Sequence, residues 1–447
     1  MNKKAKIGLV SLGCAKNLVD SEILLGTLRK RGYPILQSAY DADVIIINTC
    51  TFIKEATEES IDAIVEAIEL KKDRSVQALI VAGCLPQRYM REDMASELVG
   101  VDAFLGAGHY HRIAEVVERV LAGRQTHPLR SRPGFLPDKM TPREILTPHH
   151  YTYVKISEGC NNRCSYCVIP QVRGPHRSRR MKSIVEEVIR LLDERPLKEI
   201  NVIGQDTTFY GTDLYGQSRL AHVLKKLARL KRVKWIRLLY THPAHFDQDV
   251  IDVIRDEPAL CKYVDLPLQH IDDAILKRMG RRVTRKEIEK LVERLRGQIP
   301  DLTLRTSFIV GFPGETEKQF NELLDFVENV QFERLGAFAY SREQGTPAHS
   351  FSHQVSKKVK RERLNRLMTL QRHISKRKNE ASIGREFEVL VDSSVAAEPD
   401  LFLARTEGDA PEVDQLVYVT SKNVQPGDFL RVRITDAYEY DLVGEPL

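Results

Sequence analysis

The sequence has 447 residues, of which 42% are hydrophobic and 29% charged, with a formal net charge of +6. The length is sufficient for about three domains, and the composition excludes collagen-like, low-complexity and wholly disordered chains. No run approaches the ~18 apolar residues of a membrane helix, and the initial MNKKAKIGLV lacks the apolar core of a signal peptide. We therefore expect a cytoplasmic protein with no membrane contact.

Residues 6–106 alternate short apolar runs with amphipathic stretches, which is typical of βαβ units. The apolar runs are rich in β-branched residues, as in strands that are buried on both faces of a parallel sheet: KIGLVSLG, DVIIINT and ALIVAG. We predict an N-terminal parallel-sheet α/β domain over residues 1–125. Residues 126–150 are rich in Pro, Arg and His without apolar periodicity, and we interpret them as a linker.

The same alternation resumes at Tyr151 and continues for about 190 residues. Six strand candidates follow one another: TYVKIS, EINVIG, KWIRLL, KYVDLPL, LTLRTSFIVGF and RLGAFAYS. Helix candidates separate them, and three carry capping-box pairs: Ser183 with Glu186, Thr284 with Glu287, and Thr316 with Gln319. These six β/α units predict a partial (β/α)6 barrel over residues 151–350.

The last hundred residues divide into a basic and an acidic part. Residues 351–379 are predicted to form a basic connecting helix, because residues 356–379 hold ten Lys or Arg, one Glu and leucines at helical spacing. That helix either presents a solvated face or binds an acidic partner. Residues 380–447 alternate with period two and predict a small all-β barrel. This last segment has a net charge of −10, which leaves +16 for residues 1–379.

Three of the seven cysteines form a CxxxCxxC motif directly after the first strand of the six-unit domain. They are Cys160, Cys164 and Cys167. In a long chain that we expect in a reducing compartment, this spacing indicates metal binding rather than disulfides. Three thiolates on one loop can hold a 4Fe-4S cube and leave one iron open to a small-molecule ligand. The alternative is a zinc site that is completed by a fourth ligand such as His176.

Three other cysteines each follow a predicted strand, although they are far apart in the sequence. Cys14, Cys50 and Cys84 end the segments VSLGC, IINTC and VAGC. Because the carboxyl ends of parallel strands lie at one edge of a sheet, we expect these thiols to converge on one site. The alternative is that they only pack in the core. For Cys261, which has no partner nearby in the sequence, we predict core packing.

The CxxxCxxC motif after the first strand of a six-fold β/α domain resembles the radical S-adenosylmethionine (SAM) superfamily. With three further N-terminal cysteines and a small C-terminal barrel similar to the TRAM domain, the whole chain resembles the methylthiotransferase family. Its opening VSLGCAKNLVDSE is similar to members that modify a ribosomal protein, whereas tRNA-modifying members read closer to TxGCQxNxxDSE.

This resemblance implies two 4Fe-4S clusters, held by Cys160, Cys164 and Cys167 and by Cys14, Cys50 and Cys84. The first would bind SAM and cleave it to a hydrogen-abstracting radical, and the second would carry the sulfur to be transferred. No catalytic side chain beyond the cluster ligands is implied. The candidate SAM contacts lie at strand ends of the barrel: Tyr166, Gly204, Gln205, Asp206, Thr241, His242, Gln269, His270, Arg305 and Ser307.

A cluster of basic residues after the cysteine loop predicts a solvated face or, alternatively, a contact with a phosphate or acidic substrate: Arg173, Arg177, Arg179, Arg180 and Lys182. The acidic charge of the small barrel should repel RNA and attract a basic ribosomal protein.

The implied reaction is therefore methylthiolation of an aspartate β-carbon in small-subunit ribosomal protein S-twelve, with a flavodoxin-type electron donor and possible ribosome association. A tRNA methylthiotransferase and a non-catalytic cluster-bearing factor are the alternatives.

Overall fold

The computed structural model describes residues 4–73, 76–89, 97–124, 129 and 131–447. The predicted boundary between residues 125 and 126 lies outside the described residues. No helix in this part of the chain combines the length and the apolarity that crossing a membrane requires.

The N-terminal domain is a four-stranded parallel sheet in the order β1-β2-β3-β4. Every side chain of β2 and β3 is buried, as their β-branched runs predict. The fourth strand was not among the sequence predictions. The elements are β1 Ile7–Ser11, α1 Ala15–Lys30, β2 Val44–Thr49, α2 Lys54–Asp73, β3 Ala78–Gly83, α3 Cys84–Tyr89, β4 Ala103–Gly106 and α4 Ile113–Leu121.

The central domain contains all six predicted strands, as two three-stranded parallel sheets in the orders β5-β8-β9 and β10-β11-β12. An isolated bridge between Ile236 and Leu260 connects the region of β9 to the segment before β10, which gives a partial barrel. The elements are β5 Tyr151–Lys155, β6 Ser157–Glu158, α5 Ile169–Arg173, β7 Arg177–Ser178, α6 Met181–Glu194, β8 Glu199–Ile203, α7 Thr212–Tyr215, α8 Leu220–Ala228, β9 Trp235–Leu238, α9 Gln248–Asp256, β10 Tyr263–Asp265, α10 Asp273–Met279, α11 Arg285–Gln298, β11 Thr303–Val310, α12 Glu317–Val330 and β12 Arg334–Ala339.

Two of the three predicted capping boxes are present. Thr284 and Thr316 each accept a hydrogen bond from the backbone of the residue three positions on, at the starts of α11 and α12. The prediction for Ser183 is wrong, because α6 begins at Met181 and Ser183 lies inside its first turn.

The basic helix, α13 Lys357–Glu380, packs on the central domain instead of only connecting two domains. Leu367 and Ile374 are fully buried in the central core. Several of its cations form ion pairs with that domain, including Arg363 with Glu315 at 2.8 Å and Lys378 with Glu333 at 2.6 Å. The predicted solvated face therefore covers only part of the helix.

The C-terminal segment is a closed five-stranded barrel in the order β13-β14-β15-β17-β16. Its strands are β13 Glu386–Val395, β14 Glu398–Thr406, β15 Val417–Thr420, β16 Phe429–Ala437 and β17 Leu442–Pro446. The predicted fold class, an α/β chain with a parallel-sheet domain, a partial barrel and a small β-barrel, is confirmed.

The loop between β14 and β15 contacts the central strands. Two of its carboxylates, which we expected at the surface, form ion pairs with arginines of those strands. Asp409 is buried and forms an ion pair with Arg334 of β12 at 2.6 Å. Asp414 forms an ion pair with Arg305 of β11 at 3.2 Å. The net charge of −10 therefore overstates the acidity of the exposed surface.

Candidate functional site

The three scattered cysteines lie at one edge of the N-terminal sheet. Asn48, near the end of β2, is in register with Ser11 of β1 and Ala82 of β3, so the three strands end at the same level. Cys14 is the residue before α1, and Cys84 is the first residue of α3. We call these residues and Cys50 the sheet triad.

Two glycines allow the thiols of the sheet triad to approach the backbone. Gly13 has φ of 90°, and a Cβ there would lie 2.6 Å from the Cβ of Cys50. Gly83 has φ of 98°, and a Cβ there would lie 2.4 Å from Oδ1 of Asn48. Since both the positive φ and the space require glycine, these positions hold the strand ends in the form that brings the thiols together.

The second set, Cys160, Cys164 and Cys167, occupies one loop between β6 and α5, and we call it the loop triad. The Cys160 N–H donates to the carbonyl of Gly174 at 3.1 Å, and the Ser165 N–H donates to that of Met279 at 2.9 Å. The Asn162 N–H donates to Sγ of Cys160 at 3.4 Å. Backbone bonds at Cys160 and at Ser165 therefore fix the loop against the rest of the domain.

A buried polar network joins the two triads. Arg173 donates to Sγ of Cys84 at 3.3 Å and lies 3.7 Å from Glu158. Glu158 accepts from Gln205 at 2.6 Å. The next residue, Asp206, accepts from Asn162, two residues after Cys160, at 2.7 Å.

The sequence interpretation of the arginine cluster is wrong for two of its members. Arg173 and Arg179 are buried rather than solvated, because Arg173 pairs with Asp20 and Arg179 pairs with Glu187 at 2.5 Å. Arg180, in contrast to Arg173 and Arg179, is exposed as expected. The Arg173 contact with Cys84 was missed, and no spacing in the sequence could have revealed it, since 89 residues separate the two.

The environment of Cys50 and Cys160 keeps these two metal-free thiols protonated, and it keeps the network carboxylate of Glu158 charged. Burial raises the pKa of Cys50 and that of Cys160, each to about 12. Burial also raises the pKa of Glu158, but Lys155 and Arg173 overcome this and lower it to about 2. Binding of a metal group to these thiols must therefore release protons.

Neither triad has the geometry of a single-ion site. Among the described residues, the group of His, Cys, Asp or Glu side chains that is close enough to hold one ion is a different one. It consists of Asp206, His242 and His245, whose ligating atoms all lie within 4.8 Å of one another. His176, the fourth zinc ligand that the sequence left open, instead lies 3.0 Å from the Ser178 hydroxyl. With His176 engaged elsewhere, three thiolates fit an iron–sulfur cube that leaves one iron open better than a closed tetrahedral ion site.

Several predicted SAM contacts lie together beside the loop triad. Asp206 binds His245 at 3.0 Å, and the ring of His245 stacks on that of His242 at 4.8 Å. Tyr166 lies within the loop itself, and Gln205 is held by Glu158. This group belongs to the cysteine loop and the loops after β8 and β9.

The remaining predicted contacts are engaged elsewhere or only through their backbone. His270 is fully buried and accepts from the Asp272 N–H at 3.0 Å. Arg305 donates to Asp265 at 2.9 Å and to Asp414 at 3.2 Å, so two carboxylates satisfy its charge. The four others are held by backbone or packing contacts. The Gln269 N–H donates to the carbonyl of Ser307, the Thr241 N–H donates to the carbonyl of Asp265, and Gly204 packs against Ser157.

Cys261 is buried in the core, as predicted, and burial raises its pKa far above the ordinary value. It lies near Arg237 and packs with the interior residues of the central strands.

Comparison with family models divides the chain into three parts. Residues 6–106 match the family described as Uncharacterized protein family UPF0004, residues 154–327 match the Radical SAM superfamily, and residues 383–447 match the TRAM domain.

Comparison with solved structures supports the fold. The radical SAM methyltransferase TsrM from Kitasatospora setae superposes with a TM-score of 0.56 at 15% identity, over 77% of each chain. The cobalamin-dependent SAM radical enzyme OxsB superposes with a TM-score of 0.52 at 14% identity, over 83% of this chain and 56% of that one.

Curated relatives match over nearly the whole length. The ribosomal protein uS12 methylthiotransferase RimO of Geobacter sulfurreducens is 49% identical, over 99% of each chain. The RimO proteins of Geotalea uraniireducens and Heliobacterium modesticaldum are each 48% identical over 99% of this chain, and over 98% and 95% of their own lengths. With two cysteine triads on a radical SAM fold and this identity along its full length, the chain belongs to the RimO family of radical SAM methylthiotransferases, whose cofactors are SAM and 4Fe-4S clusters.

Proposed function

We propose that this protein adds a methylthio group to the β-carbon of an aspartate in ribosomal protein uS12. The observation that carries the proposal is the placement of two cysteine triads at the two ends of one buried network, from Cys84 through Arg173 and Glu158 to the loop of Cys160. A transfer that needs both hydrogen abstraction and sulfur delivery requires two such groups close together. The relatives named for uS12 give the substrate.

In this proposal, the loop triad holds the cluster that binds SAM, and the sheet triad holds the auxiliary cluster. When bound, these groups supply one-electron cleavage of SAM and the sulfur. The protein itself buries Cys50, Cys84 and Cys164 away from water. It neutralises charge with Arg173 and orients SAM with the group around Asp206 and His242. A one-electron donor of the flavodoxin type is required, because the chain itself supplies no electron. The reaction belongs to the cytoplasm, where ribosomal proteins are made.

Substrate recruitment by the small barrel rests on the acids that stay at its surface. Six acids of this segment are exposed and form no ion pair within the described part of the chain: Glu398, Asp400, Glu412, Asp436, Glu439 and Glu445. Opposite charge favours the approach of a basic ribosomal protein. Charge reversal by Glu398→Lys with Asp400→Lys should weaken uS12 binding at low salt, whereas Lys422→Glu on the same barrel should not. Equal binding by the wild type and the double variant would remove this recruiting role.

A tRNA substrate is the second candidate, and the basic helix was its main support. That helix uses Arg363, Arg366 and Lys378 to bind carboxylates of the central domain, which lowers the charge available to a phosphate backbone. Ribosome association would still bring the protein near RNA and is part of the proposal.

The test is mass spectrometry of uS12 and of tRNA nucleosides from cells with the gene deleted and then complemented. We expect the methylthio group on uS12 to disappear on deletion and to return with the wild-type gene, but not with Cys50→Ala or Cys160→Ala. Methylthio nucleosides in tRNA should not change. Loss from tRNA with uS12 unaltered would refute the proposal in favour of the second candidate.

The purified protein separates the two triads. With a chemical reductant, Cys160→Ala should form no 5′-deoxyadenosine, because the loop triad is broken. Cys50→Ala should still form it and yet transfer no methylthio group. If both variants lost SAM cleavage equally, the division of roles between the triads would be wrong.

A further inference from the structure

A cavity of about 830 Å³ opens beside the loop triad, and its wall comes from two domains. Cys160 of the loop triad lines it on one side. Gln87 lines it on the other, and Gln87 belongs to α3, the short helix that begins with Cys84 of the sheet triad. Gly174, next to Arg173, also forms part of the wall. The cavity is thus bordered by elements that carry both triads.

The charge of this wall is of one sign. Arg132, Arg163 and Arg282 line the cavity, and no Asp or Glu is among the described lining residues. All three arginines are exposed, and within the described part of the chain they make neither an ion pair nor a hydrogen bond. Three like charges around one opening repel one another and do not stabilise the fold.

Backbone strain and a buried cation mark the same region. Arg282 has φ of 38°, an uncommon conformation for a residue with a side chain, and such strain is concentrated at functional sites. Arg177, two residues beyond Pro175 of the wall, has buried Nε and Nη2 atoms without a hydrogen-bond partner. Burial lowers the pKa of Arg177, the carboxylate of Glu158 partly offsets this, and the positive charge of Arg132 lowers the pKa further. An anion in this region would relieve both effects.

We infer that this cavity binds the substrate and that its arginines hold the carboxylate of the acidic side chain that is modified. The inference rests on the proposed function. If both triads act on one carbon, that carbon must be accessible from both, and the cavity between them is then the substrate site. Guanidinium groups bind a carboxylate through paired, charge-assisted hydrogen bonds. The same arginines repel the many cationic side chains of a ribosomal protein, so they select one acidic residue from a basic partner.

The test compares the binding of two peptides to the reconstituted holoenzyme without turnover. One peptide carries the target aspartate of uS12, and the other carries asparagine in its place. The wild type should bind the aspartate peptide about 10- to 100-fold more tightly, as expected for hydrogen bonds to a charged group. In Arg132→Gln with Arg282→Gln, both outside the cysteine motif, that preference should fall to about 3-fold or less, with a Kd for the asparagine peptide close to that of the wild type.

Three controls keep the result specific. Arg361→Gln removes an exposed arginine of α13 and should retain the full preference for aspartate. Iron content and the visible absorption spectrum show whether each variant still carries its clusters. Arg282→Lys, which keeps the charge but not the paired donors, should recover part of the preference.

Three outcomes would overturn the inference. The wild type could bind both peptides equally, or the arginine variant could keep the preference for aspartate. Alternatively, the variant could bind peptides normally and lose activity only when a protein donor supplies electrons, which would make the patch a docking site for that donor. Failure of the proposed function would be recognised separately, as an aspartate peptide that binds with the arginine-dependent preference but is never methylthiolated.

Discussion

The loop triad and the sheet triad each present three thiols, but the chain assembles the two sets in different ways. Cys160, Cys164 and Cys167 lie within eight residues of sequence, and local backbone bonds fix their loop. Cys14, Cys50 and Cys84 meet only when three strands pair in the correct register. Spacing alone defines the first site, whereas the second is a property of the folded sheet.

This difference has a thermodynamic consequence. Because the sheet triad exists only in the folded domain, any group bound there stabilises that domain by mass action, and any loss of sheet stability weakens binding. The loop triad can tolerate more damage to the N-terminal domain. Substitutions near Cys84 should therefore separate the two sites.

The largest separation is expected for Arg173→Gln. The substitution removes the donor to Cys84 and leaves Asp20 buried with Lys155 as its remaining cation. Breaking a buried ion pair costs about 3–5 kcal/mol, and loss of a group that orients a metal ligand costs ~10–100-fold in metal affinity. The amount of iron bound by the sheet triad should fall steeply. It is to be measured in a variant in which Ala replaces Cys160, Cys164 and Cys167, so that only the sheet triad binds iron.

The control for Arg173→Gln is Arg180→Gln, which alters an exposed arginine of the same run. It should leave the iron content unchanged. Equal iron loss from both triads in Arg173→Gln would contradict the separation, since it would indicate general unfolding.

A smaller effect is expected for Gly83→Ala. The added methyl group would lie 2.4 Å from Oδ1 of Asn48, and φ of 98° is unfavourable for alanine. Strain and overpacking together should lower the free energy of unfolding by about 2–4 kcal/mol, visible as a lower thermal midpoint and less iron in the sheet triad. Gly123→Ala is the matched control: it has φ of 65° but no atom within 4 Å of the new methyl group, so it should show the smaller cost of φ alone. Similar losses in both variants would show that the approach to Asn48 is unimportant.

The sequence predicted those features that depend on interactions between residues close together in the chain. Strand periodicity located all six central strands, and strand ends correctly located the cysteines of the sheet triad. It failed where a side chain is paired with a distant one: Arg173 reads as a surface residue until Asp20, 153 positions earlier, is placed beside it. Asp409 was counted as surface charge for the same reason, because its partner Arg334 belongs to another domain. The basic helix likewise buries an apolar face, and no local sequence pattern identifies the strands on which that face packs.

The smallest effect concerns the central domain, which supports the loop triad, and it depends on pH. His270 is fully buried, and burial lowers its pKa to about 4. Below the ordinary pKa of about 6.5 the unfolded chain binds a proton that the folded chain does not, so stability falls as the pH decreases from about 6.5 towards 4. The full effect is about 3 kcal/mol at most. In His270→Asn, which can still accept from the Asp272 N–H, that part of the acid destabilisation should vanish. Thermal midpoints of the metal-free protein between pH 7 and 4.5 measure it, with the exposed His373→Asn as control. If His270→Asn retained the wild-type slope, another group would control the acid sensitivity of this domain.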